Sequence, residues 1–485
     1  PDEVGHGEAA ARVQREPGLL REVGAVAQVV GGVDGEDRVE ERIREGQGVA
    51  VADQEAGAVG EGLAAALGGL DLRGVKVDAG LSELGVAPSE HRGDAPGAAA
   101  HVEPVALGVE ALDDHTLRVN LTRPMPYFDQ MVTHATTFPS PQWVIEEHGD
   151  DWTKPGNLVG NGAFVLTEHV INERLVRERN ELYWDNDNNF MDKVVTLVIN
   201  DENQALNRYD AGELDKTDIP AGQYPAQEAQ RPDEAHVFPR LCNYYYSFNN
   251  EVAPFDDARV RKALAYAIDR NVIVDNVLQG GQFPAYTFTP ALTAGFTTPD
   301  VEWGQWTQAE RDERARELLA EAGYGPDNPL RTSLLYNTDE AHRKVAIAVS
   351  SMWQEKLGVN ASLENQEWTT FLTTRSEGDF EIARGAWCGD YNEASTFLDL
   401  MQSGSGYNDA GYASEEYDRL AAEAQTELDP GAQYTAMEEL IAADMPNAPV
   451  YHYTEVIMLK PDVKGWPFDD IQQNIYSRNL YKVAN

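Results

Sequence analysis

Residues 380–393 read FEIARGAWCGDYNE, and the first half of this stretch has the pattern of a β-strand. Phe380, Ile382 and Arg384 alternate with Glu381 and Ala383, which is the period of two that a strand requires. The glycines at 385 and 389 then indicate a break, beside a tryptophan, a cysteine and an aspartate. We therefore predict a strand over 380–386 that ends at a binding site.

The side chains of this stretch suit a zwitterionic ligand. Arg384 and Asp390 offer opposite charges, and Trp387 between them supplies a flat apolar surface with one hydrogen-bond donor. A second interpretation, which the residues alone favour at this point, is that the strand belongs to the core and the two charges form a surface pair that contributes little.

Composition indicates a folded, strongly acidic protein. The 485 residues suffice for about three domains, and 42% of them are hydrophobic. The net charge of −44 argues against unaided binding to nucleic acid or anionic lipid. No apolar run reaches the roughly 18 residues that a membrane span needs, and the sequence opens at Pro1 without a leader. We expect a soluble protein whose true start, signal peptide included, is missing.

The first part of the chain has an unusual composition. Residues 1–107 are rich in Gly, Ala, Val, Glu and Arg and contain no Phe, Trp or Tyr; the first aromatic residue is Tyr127. A packed core does not have this composition. We predict that this atypical segment is disordered or comes from a misread coding region, with an unusual appended domain as the alternative.

The rest of the chain alternates strands and helices. Apolar spacing predicts a helix around Val260–Ile268, and a possible capping box at Thr307 and Glu310 starts another. From residue 332 the predicted elements alternate: strand 332–336, helix 341–357, strand 361–367, helix 369–375 and strand 380–386. Helices follow over 414–428 and 431–445, then a strand over 449–459. This order favours an α/β lobe.

Motifs for cofactors and catalysis are absent from the sequence. It has no G-x-x-x-x-G-K phosphate loop, no H-E-x-x-H zinc motif and no G-x-S-x-G nucleophile motif. The two cysteines, Cys242 and Cys388, are not in a C-x-x-C and have no histidine at ligand spacing. We predict no metal and no cofactor, and a disulfide as the best interpretation of the two thiols, in an oxidising compartment.

The run from Arg384 to Glu393, together with LCNYYY at residues 241–246, resembles the periplasmic oligopeptide-binding proteins of peptide ABC transporters, extracellular solute-binding protein family 5. The resemblance extends from about Gly108 to Asn485. It implies an α/β, two-lobed periplasmic-binding-protein fold of the class II or cluster C type, with a hinge, a ligand cleft between the lobes and an atypical N-terminal part. It also implies a disulfide between Cys242 and Cys388.

Five segments are predicted on this basis. They are the atypical segment 1–107, a remnant of a small second domain at 108–154, a first lobe at 155–241, a second lobe at 242–454, and a return to the first lobe at 455–485.

The resemblance also implies roles for individual residues. Asp390 is expected to bind the ammonium group of a peptide, and Arg375, Arg384 and His342 its carboxylate at different peptide lengths. The complete predicted ligand-binding set is Asp390, Trp387, Arg384, Arg375, Trp368, His342, Ala386, Cys388, Tyr245 and Tyr453. At two positions, Ser247 and Leu278, close relatives have a glutamate and a lysine, so we expect an altered preference for peptide side-chain charge.

The function implied is capture of short peptides in the periplasm of a Gram-negative cell and delivery to the membrane permease subunits of an ABC importer, by a monomer that binds no nucleic acid. This interpretation makes the protein a binding protein and not an enzyme. The alternative from another class is a secreted hydrolase that uses Asp390 and Glu393 as a carboxylate pair.

Overall fold

The computed structural model describes residues 9–12, 49–52, 109–113, 116–121, 125 and 127–483. The prediction of a disordered or misread segment at 1–107 therefore lies outside the described residues, except for two short strands. The domain limits given above stay predictions.

Sixteen strands are described. They are β1 (Ala9–Arg12), β2 (Val49–Ala52), β3 (Val109–Asp113), β4 (Thr116–Val119), β5 (Phe164–Val170), β6 (Arg174–Arg179), β7 (Lys193–Leu197), β8 (Lys216–Asp218), β9 (Ala235–Phe248), β10 (Phe283–Pro284), β11 (Arg331–Asn337), β12 (Asn360–Gln366), β13 (Ile382–Cys388), β14 (Asn447–Leu459), β15 (Val463–Lys464) and β16 (Tyr481–Lys482).

The α-helices described are short in the first part of the chain and longer in the second. They are Phe128–Met131, Gln142–His148, Glu202–Asp210, Tyr224–Gln230, Ala258–Ala267, Arg270–Val272, Glu302–Gln305, Gln308–Glu321, Glu340–Leu357, Trp368–Ser376, Ser395–Leu398, Glu415–Ala424 and Gly431–Asp444. The capping box predicted at Thr307 and Glu310 is confirmed, with both reciprocal hydrogen bonds formed.

Most strands belong to one mixed sheet in the order β12-β11-β13-β9-β14-β8-β2-β7-β6-β5, with β10 paired to β14. The long strands β9 and β14 are antiparallel and lie at its centre. Residues 242–248 of β9 pair with β13, and residues 457–459 of β14 pair with β8. These two pairings lie at opposite ends of the β9–β14 pair, because Met458 lies beside Ala235 at the start of β9. These two strands therefore pass from one half of the molecule into the other, and the predicted lobe limits at 241/242 and 454/455 fall inside them.

The predicted strand over 380–386 differs from the observed one. Strand β13 starts at Ile382 and runs through Gly385 to Cys388, so the break comes at Gly389. Residues 382–385 are all buried, because helices cover this part of the sheet on both faces. The alternation in the sequence was therefore not the signature of a strand with one exposed face, and the strand ends two residues later than the predicted Ala386.

The core of the second lobe lies on both sides of β9. Tyr244, Tyr246 and Phe248 point to one face, where they pack with helices that include Ala258–Ala267 and Glu340–Leu357. Tyr245 points to the other face and packs against Phe288 with ring centroids 4.9 Å apart. A sheet with helices on both faces is an α/β layer arrangement, as predicted.

The disulfide is confirmed. Strands β9 and β13 pair with Cys242 directly opposite Cys388, and the two sulfur atoms are bonded across Cα atoms 4.0 Å apart. Cys242 is buried, whereas Cys388 is exposed at the end of its strand. The bond therefore fixes the end of β13, immediately before the loop that carries Asp390.

Replacing Gly385 with alanine is expected to destabilise the second lobe. A Cβ atom there would lie 2.2 Å from the ring of Tyr245, its partner across the β9–β13 pair. We expect Gly385→Ala to lower the free energy of unfolding by about 1–3 kcal/mol, measured by urea denaturation. Gly404→Ala is the control, because nothing lies within 4 Å of a Cβ atom at that position. Equal stability of the two variants would contradict this packing.

The disulfide should be complete in protein isolated from an oxidising compartment. Thiol titration of the unreduced, denatured chain should find no free thiol, and two free thiols would contradict the bond. Because the bond closes a sequence separation of 146 residues, the double variant Cys242→Ser, Cys388→Ser should lose about 4–5 kcal/mol of unfolding free energy.

Candidate functional site

The edge of strand β13 opposite β9 is only partly paired. Strand β11 pairs with β13 at Ile382 and Ala383. Among the residues that the structure describes, no strand pairs with this edge between Arg384 and Cys388. An unpaired edge of this kind is a template for an added strand. The backbone of Ala386, in the predicted ligand set, lies in its middle.

Asp390 follows this edge by two residues. Its backbone N–H donates to Thr396 Oγ1 at 3.1 Å, so helix Ser395–Leu398 holds the loop in place. Its Oδ1 atom lies 3.4 Å from Nε2 of His134. Burial raises the pKa of Asp390, and the nearby imidazole of His134 opposes that rise. The carboxylate is therefore placed where a cation stabilises it.

Arg384, at the start of the unpaired edge, is buried among aromatic side chains. Its Nη2 atom donates to the Tyr453 hydroxyl at 2.8 Å, and the guanidinium lies over the ring of Tyr244 at 5.1 Å. Within the described residues, no carboxylate lies within ion-pair distance of this guanidinium. A buried cation without an acidic partner is costly, and such a group is suited to receive an anion.

Arg375 differs from Arg384 in this respect. It projects from helix Trp368–Ser376, stacks over Phe371 at 5.6 Å and forms an ion pair with Asp409. Both side chains of the pair are largely buried. The sequence analysis missed Asp409, because nothing in its local sequence links it to a residue 34 positions earlier. A ligand carboxylate would have to share Arg375 with Asp409.

His342 is also paired within the chain. Its Nδ1 atom lies 3.6 Å from Oδ1 of Asp339, which also accepts the His342 backbone N–H and so begins helix Glu340–Leu357. Burial tends to raise the pKa of Asp339, but His342, Arg384 and two backbone N–H groups outweigh it and lower that pKa.

Glu202, from the predicted first lobe, is another residue near the site that was not predicted from the sequence. Burial raises the pKa of Glu202 to about 8, with further contributions from Asp339 and Asp218. Acidic groups of the two lobes therefore face each other near His342.

The remaining predicted residues lie around the same strand. Trp387 is half-buried against Tyr407 at 5.0 Å, and its backbone N–H donates to Asn243. Trp368 stacks on Phe371 at 5.9 Å. Tyr245 is packed in the core, whereas Tyr453 contacts Arg384. Contact of each with a ligand stays a prediction.

The two departures from close relatives are both buried. Ser247 is 2% exposed in β9, and Leu278 is 5% exposed in the core of the second lobe. Neither adds charge, so the expected change in charge preference stays a prediction.

The described part of the chain has neither a metal-binding cluster nor a membrane-spanning helix. No cluster of three or more His, Cys, Asp or Glu side chains in this part of the chain is arranged to hold a metal ion. No helix there is long and apolar enough to cross a membrane.

Comparison with known proteins identifies the family of this chain. The sequence model of the bacterial extracellular solute-binding proteins, family 5 (middle), matches residues 86–409. The chain belongs to this family. Among curated relatives of this family, the periplasmic oligopeptide-binding protein OppA of Escherichia coli (strain K12) is 46% identical over 384 residues, covering 78% of this chain and 71% of the relative. The family model begins to match at residue 86. This is earlier than Gly108, from which the resemblance was read in the sequence.

Solved structures of family members have the same two-lobed α/β fold. The murein tripeptide-binding protein MppA of Escherichia coli superposes with a TM-score of 0.76 at 43% identity, covering 78% of this chain and 75% of that one. Haemophilus influenzae OppA in complex with RPPGFSPFR superposes with a TM-score of 0.75 at 41% identity, covering 79% of this chain and 76% of that one. The unliganded open form of MppA superposes with a TM-score of only 0.59 at 43% identity, covering 79% of this chain and 75% of that one. The lobes of this chain are thus arranged more as in the peptide complex than as in the open form.

The ion pair between Arg375 and Asp409 should be important for stability. Asp409→Asn leaves the buried guanidinium without its carboxylate, so we expect a loss of about 3–5 kcal/mol of unfolding free energy, measured by urea denaturation. Glu416→Gln is the control: it breaks a pair with Arg419 in which both side chains are about half exposed, and such pairs contribute about 0.2–1 kcal/mol. A loss as small as that of the control would show that Asp409 is not needed to balance Arg375.

Proposed function

We propose that this protein captures short peptides in the cleft between its lobes and delivers them to an ABC importer. The observation that carries the proposal is the unpaired edge of β13 between Arg384 and Cys388, with a cation at its start and the carboxylate of Asp390 just beyond its end. An extended peptide has backbone hydrogen-bonding groups along its length, an ammonium at one end and a carboxylate at the other. Each feature of the site therefore has a counterpart in the ligand.

The dimensions agree with a short peptide. The four steps from Arg384 to Cys388 cover roughly 13 Å at about 3.3 Å per residue. This is the length of three to four extended residues. Peptides of this size can pair with the edge while their ends reach the charged groups.

Asp390 is proposed to bind the ammonium group and Arg384 the carboxylate of such a peptide. Arg384 is favoured over Arg375 and His342, because the other two already have acidic partners in the described part of the chain, Asp409 and Asp339. Arg375 and His342 are proposed to serve peptides of other lengths. Trp368, Trp387 and Tyr453 are proposed to contact the peptide along its length.

Recognition of this kind does not depend on the ligand's sequence. The ammonium, the carboxylate and the backbone are common to all peptides, so side chains contribute less to affinity. Water can fill the space beside small side chains at a cost of about 0–2 kcal/mol per ordered molecule. The relatives OppA and MppA are named for oligopeptides and murein peptides, which supports a peptide as ligand.

The cellular setting follows from the same relatives. OppA and MppA of Escherichia coli are periplasmic proteins, and the disulfide of this chain is of a kind that persists in an oxidising compartment. We propose a periplasmic protein that acts as a monomer, arrives by way of a signal peptide and meets membrane permease subunits.

The hydrolase alternative gains no support. The carboxylate of Glu393 accepts hydrogen bonds from the backbone N–H of Ser395, at 2.7 Å, and from the Ser395 hydroxyl. Asp390 has a different partner, His134. The related proteins are binding proteins, and Asp390 is better explained as part of a binding site.

Replacing Asp390 tests the ammonium site. Because a charge-assisted hydrogen bond contributes about 1.5–3 kcal/mol, Asp390→Asn should bind the free tripeptide Ala-Ala-Ala about 10-fold to 150-fold more weakly. Binding of its N-acetylated form should not change. Calorimetry measures both, with Glu393→Gln as the control that keeps the ammonium site. Equal loss for the free and acetylated peptides would refute this role.

Amidated peptides test the carboxylate site. The wild-type chain should bind Ala-Ala-Ala at least about tenfold more tightly than Ala-Ala-Ala amide, and Arg384→Gln should remove this preference. Arg419→Gln, at an exposed position of helix Glu415–Ala424, is the control. If the wild-type chain bound the amide and the free acid equally, Arg384 could not hold the carboxylate.

A further inference from the structure

The carboxylate proposed to bind the ligand's ammonium already faces a basic group of its own chain. Nε2 of His134 lies 3.4 Å from Oδ1 of Asp390, and both side chains are only partly exposed. The other ring nitrogen, Nδ1, lies 2.9 Å from Oγ1 of Thr136. Since Nδ1 is held by its own neighbour, Nε2 is the nitrogen that faces Asp390.

This contact is one of three between the same two segments. The ring of Tyr127 stacks on Tyr391 with centroids 5.3 Å apart and planes 3° from parallel. Oε1 of Gln130 accepts the backbone N–H of Asn392 at 3.1 Å. Residues 127–134 thus lie along the loop 390–392, and His134 is held against Asp390 by contacts on the rest of its segment.

We propose that His134 competes with the peptide's N-terminal ammonium for Asp390, so that protonation of His134 weakens peptide capture. The inference rests on the proposed function, because it needs Asp390 to be the ammonium site. It adds a residue of the segment before the first lobe that sets affinity according to pH.

The physical reason is the charge of a single carboxylate. Protonated, His134 offers Asp390 a charge-assisted hydrogen bond of the same kind as an ammonium group does. A carboxylate that holds one cation attracts a second less strongly, and the two cations repel each other. Neutral, His134 makes only an ordinary hydrogen bond, which the ammonium displaces more easily.

Other titratable groups near the pair do not give the same response. A histidine changes charge between about pH 5 and pH 8, whereas ordinary carboxylates and tyrosines do not. Burial raises the pKa of Tyr391 and of Tyr434, so both stay neutral. His134 is the charged group that acts on Asp390. The titratable groups around the neighbouring Tyr391 are Tyr127, which stacks on it, and Glu393 and Asp399.

Burial also raises the pKa of Asp390 itself, and protonation of this carboxylate in acid would weaken ammonium binding too. That effect remains when His134 is replaced by a neutral residue. A comparison of variants at each pH therefore separates the two causes.

The test is calorimetry of the full chain with Ala-Ala-Ala and with N-acetyl-Ala-Ala-Ala at pH 5.5 and pH 7.5. His134→Gln keeps a neutral hydrogen-bonding side chain. At pH 5.5 it should bind the free peptide about tenfold more tightly than the wild type, the effect of one charge-assisted contact. At pH 7.5 the two proteins should agree within about twofold, because most histidine side chains are neutral there. The acetylated peptide should show no difference between them at either pH.

The control is His148→Gln. His148 has the same partial exposure as His134 but faces Glu147, its neighbour in the sequence. It should behave as the wild type at both pH values. Thermal melting checks that both variants remain folded.

Two results would overturn the competition. One is an equal affinity of the wild type and His134→Gln for the free peptide at pH 5.5, and the other is the same gain in His148→Gln. Failure of the proposed function would give a different result. Asp390→Asn would then bind the free and the acetylated peptide with the same affinities as the wild type, regardless of the effect of His134→Gln.

Discussion

The pairing of β9 with β13 is the constraint on which the site depends. Its register places Gly385 opposite Tyr245 and Cys242 opposite Cys388. The missing side chain at 385 leaves room for the tyrosine ring, and the disulfide fixes the end of the strand. A shift of one residue would turn every side chain of β13 to the other face, and Arg384 would leave the aromatic cluster that holds it. Backbone register therefore positions the charges.

Buried charge distinguishes the two arginines of the site. Arg375 is balanced by Asp409 within the chain, so its desolvation is offset by a partner that is always present. Arg384 contacts neutral groups, the Tyr453 hydroxyl, the Asn337 amide and the face of Tyr244, and Asp339 interacts with it electrostatically without forming an ion pair within the described residues. A peptide carboxylate would supply the missing negative charge. The same logic applies to Asp390, whose raised pKa reflects burial that a cation relieves, whether that cation is an ammonium or the imidazolium of His134.

The long strands β9 and β14 connect the site to the movement of the lobes. Because both strands cross from one lobe to the other, a change in lobe orientation must bend them, and their pairing is irregular near Pro449 and His452. Glu202 and Asp339 come from different lobes, and Asp339 is among the groups that raise the pKa of Glu202. A ligand that contacts both lobes shifts such a molecule toward the closed arrangement.

Local patterns in the sequence determined the α/β class and the capping box at Thr307 and Glu310, and they predicted a binding site in the stretch around Arg384 and Asp390. These features depend on neighbours within a few residues, which a single sequence displays. Its resemblance to a family supplied the pairing of Cys242 with Cys388. Only the tertiary structure assigned Asp409 to Arg375 and His134 to Asp390, because these partners are 34 and 256 positions apart and no periodicity links them. It also decided that β13 starts at Ile382 and continues beyond Ala386 to Cys388, with Gly385 in a sheet where the ring of the neighbouring Tyr245 fills its space.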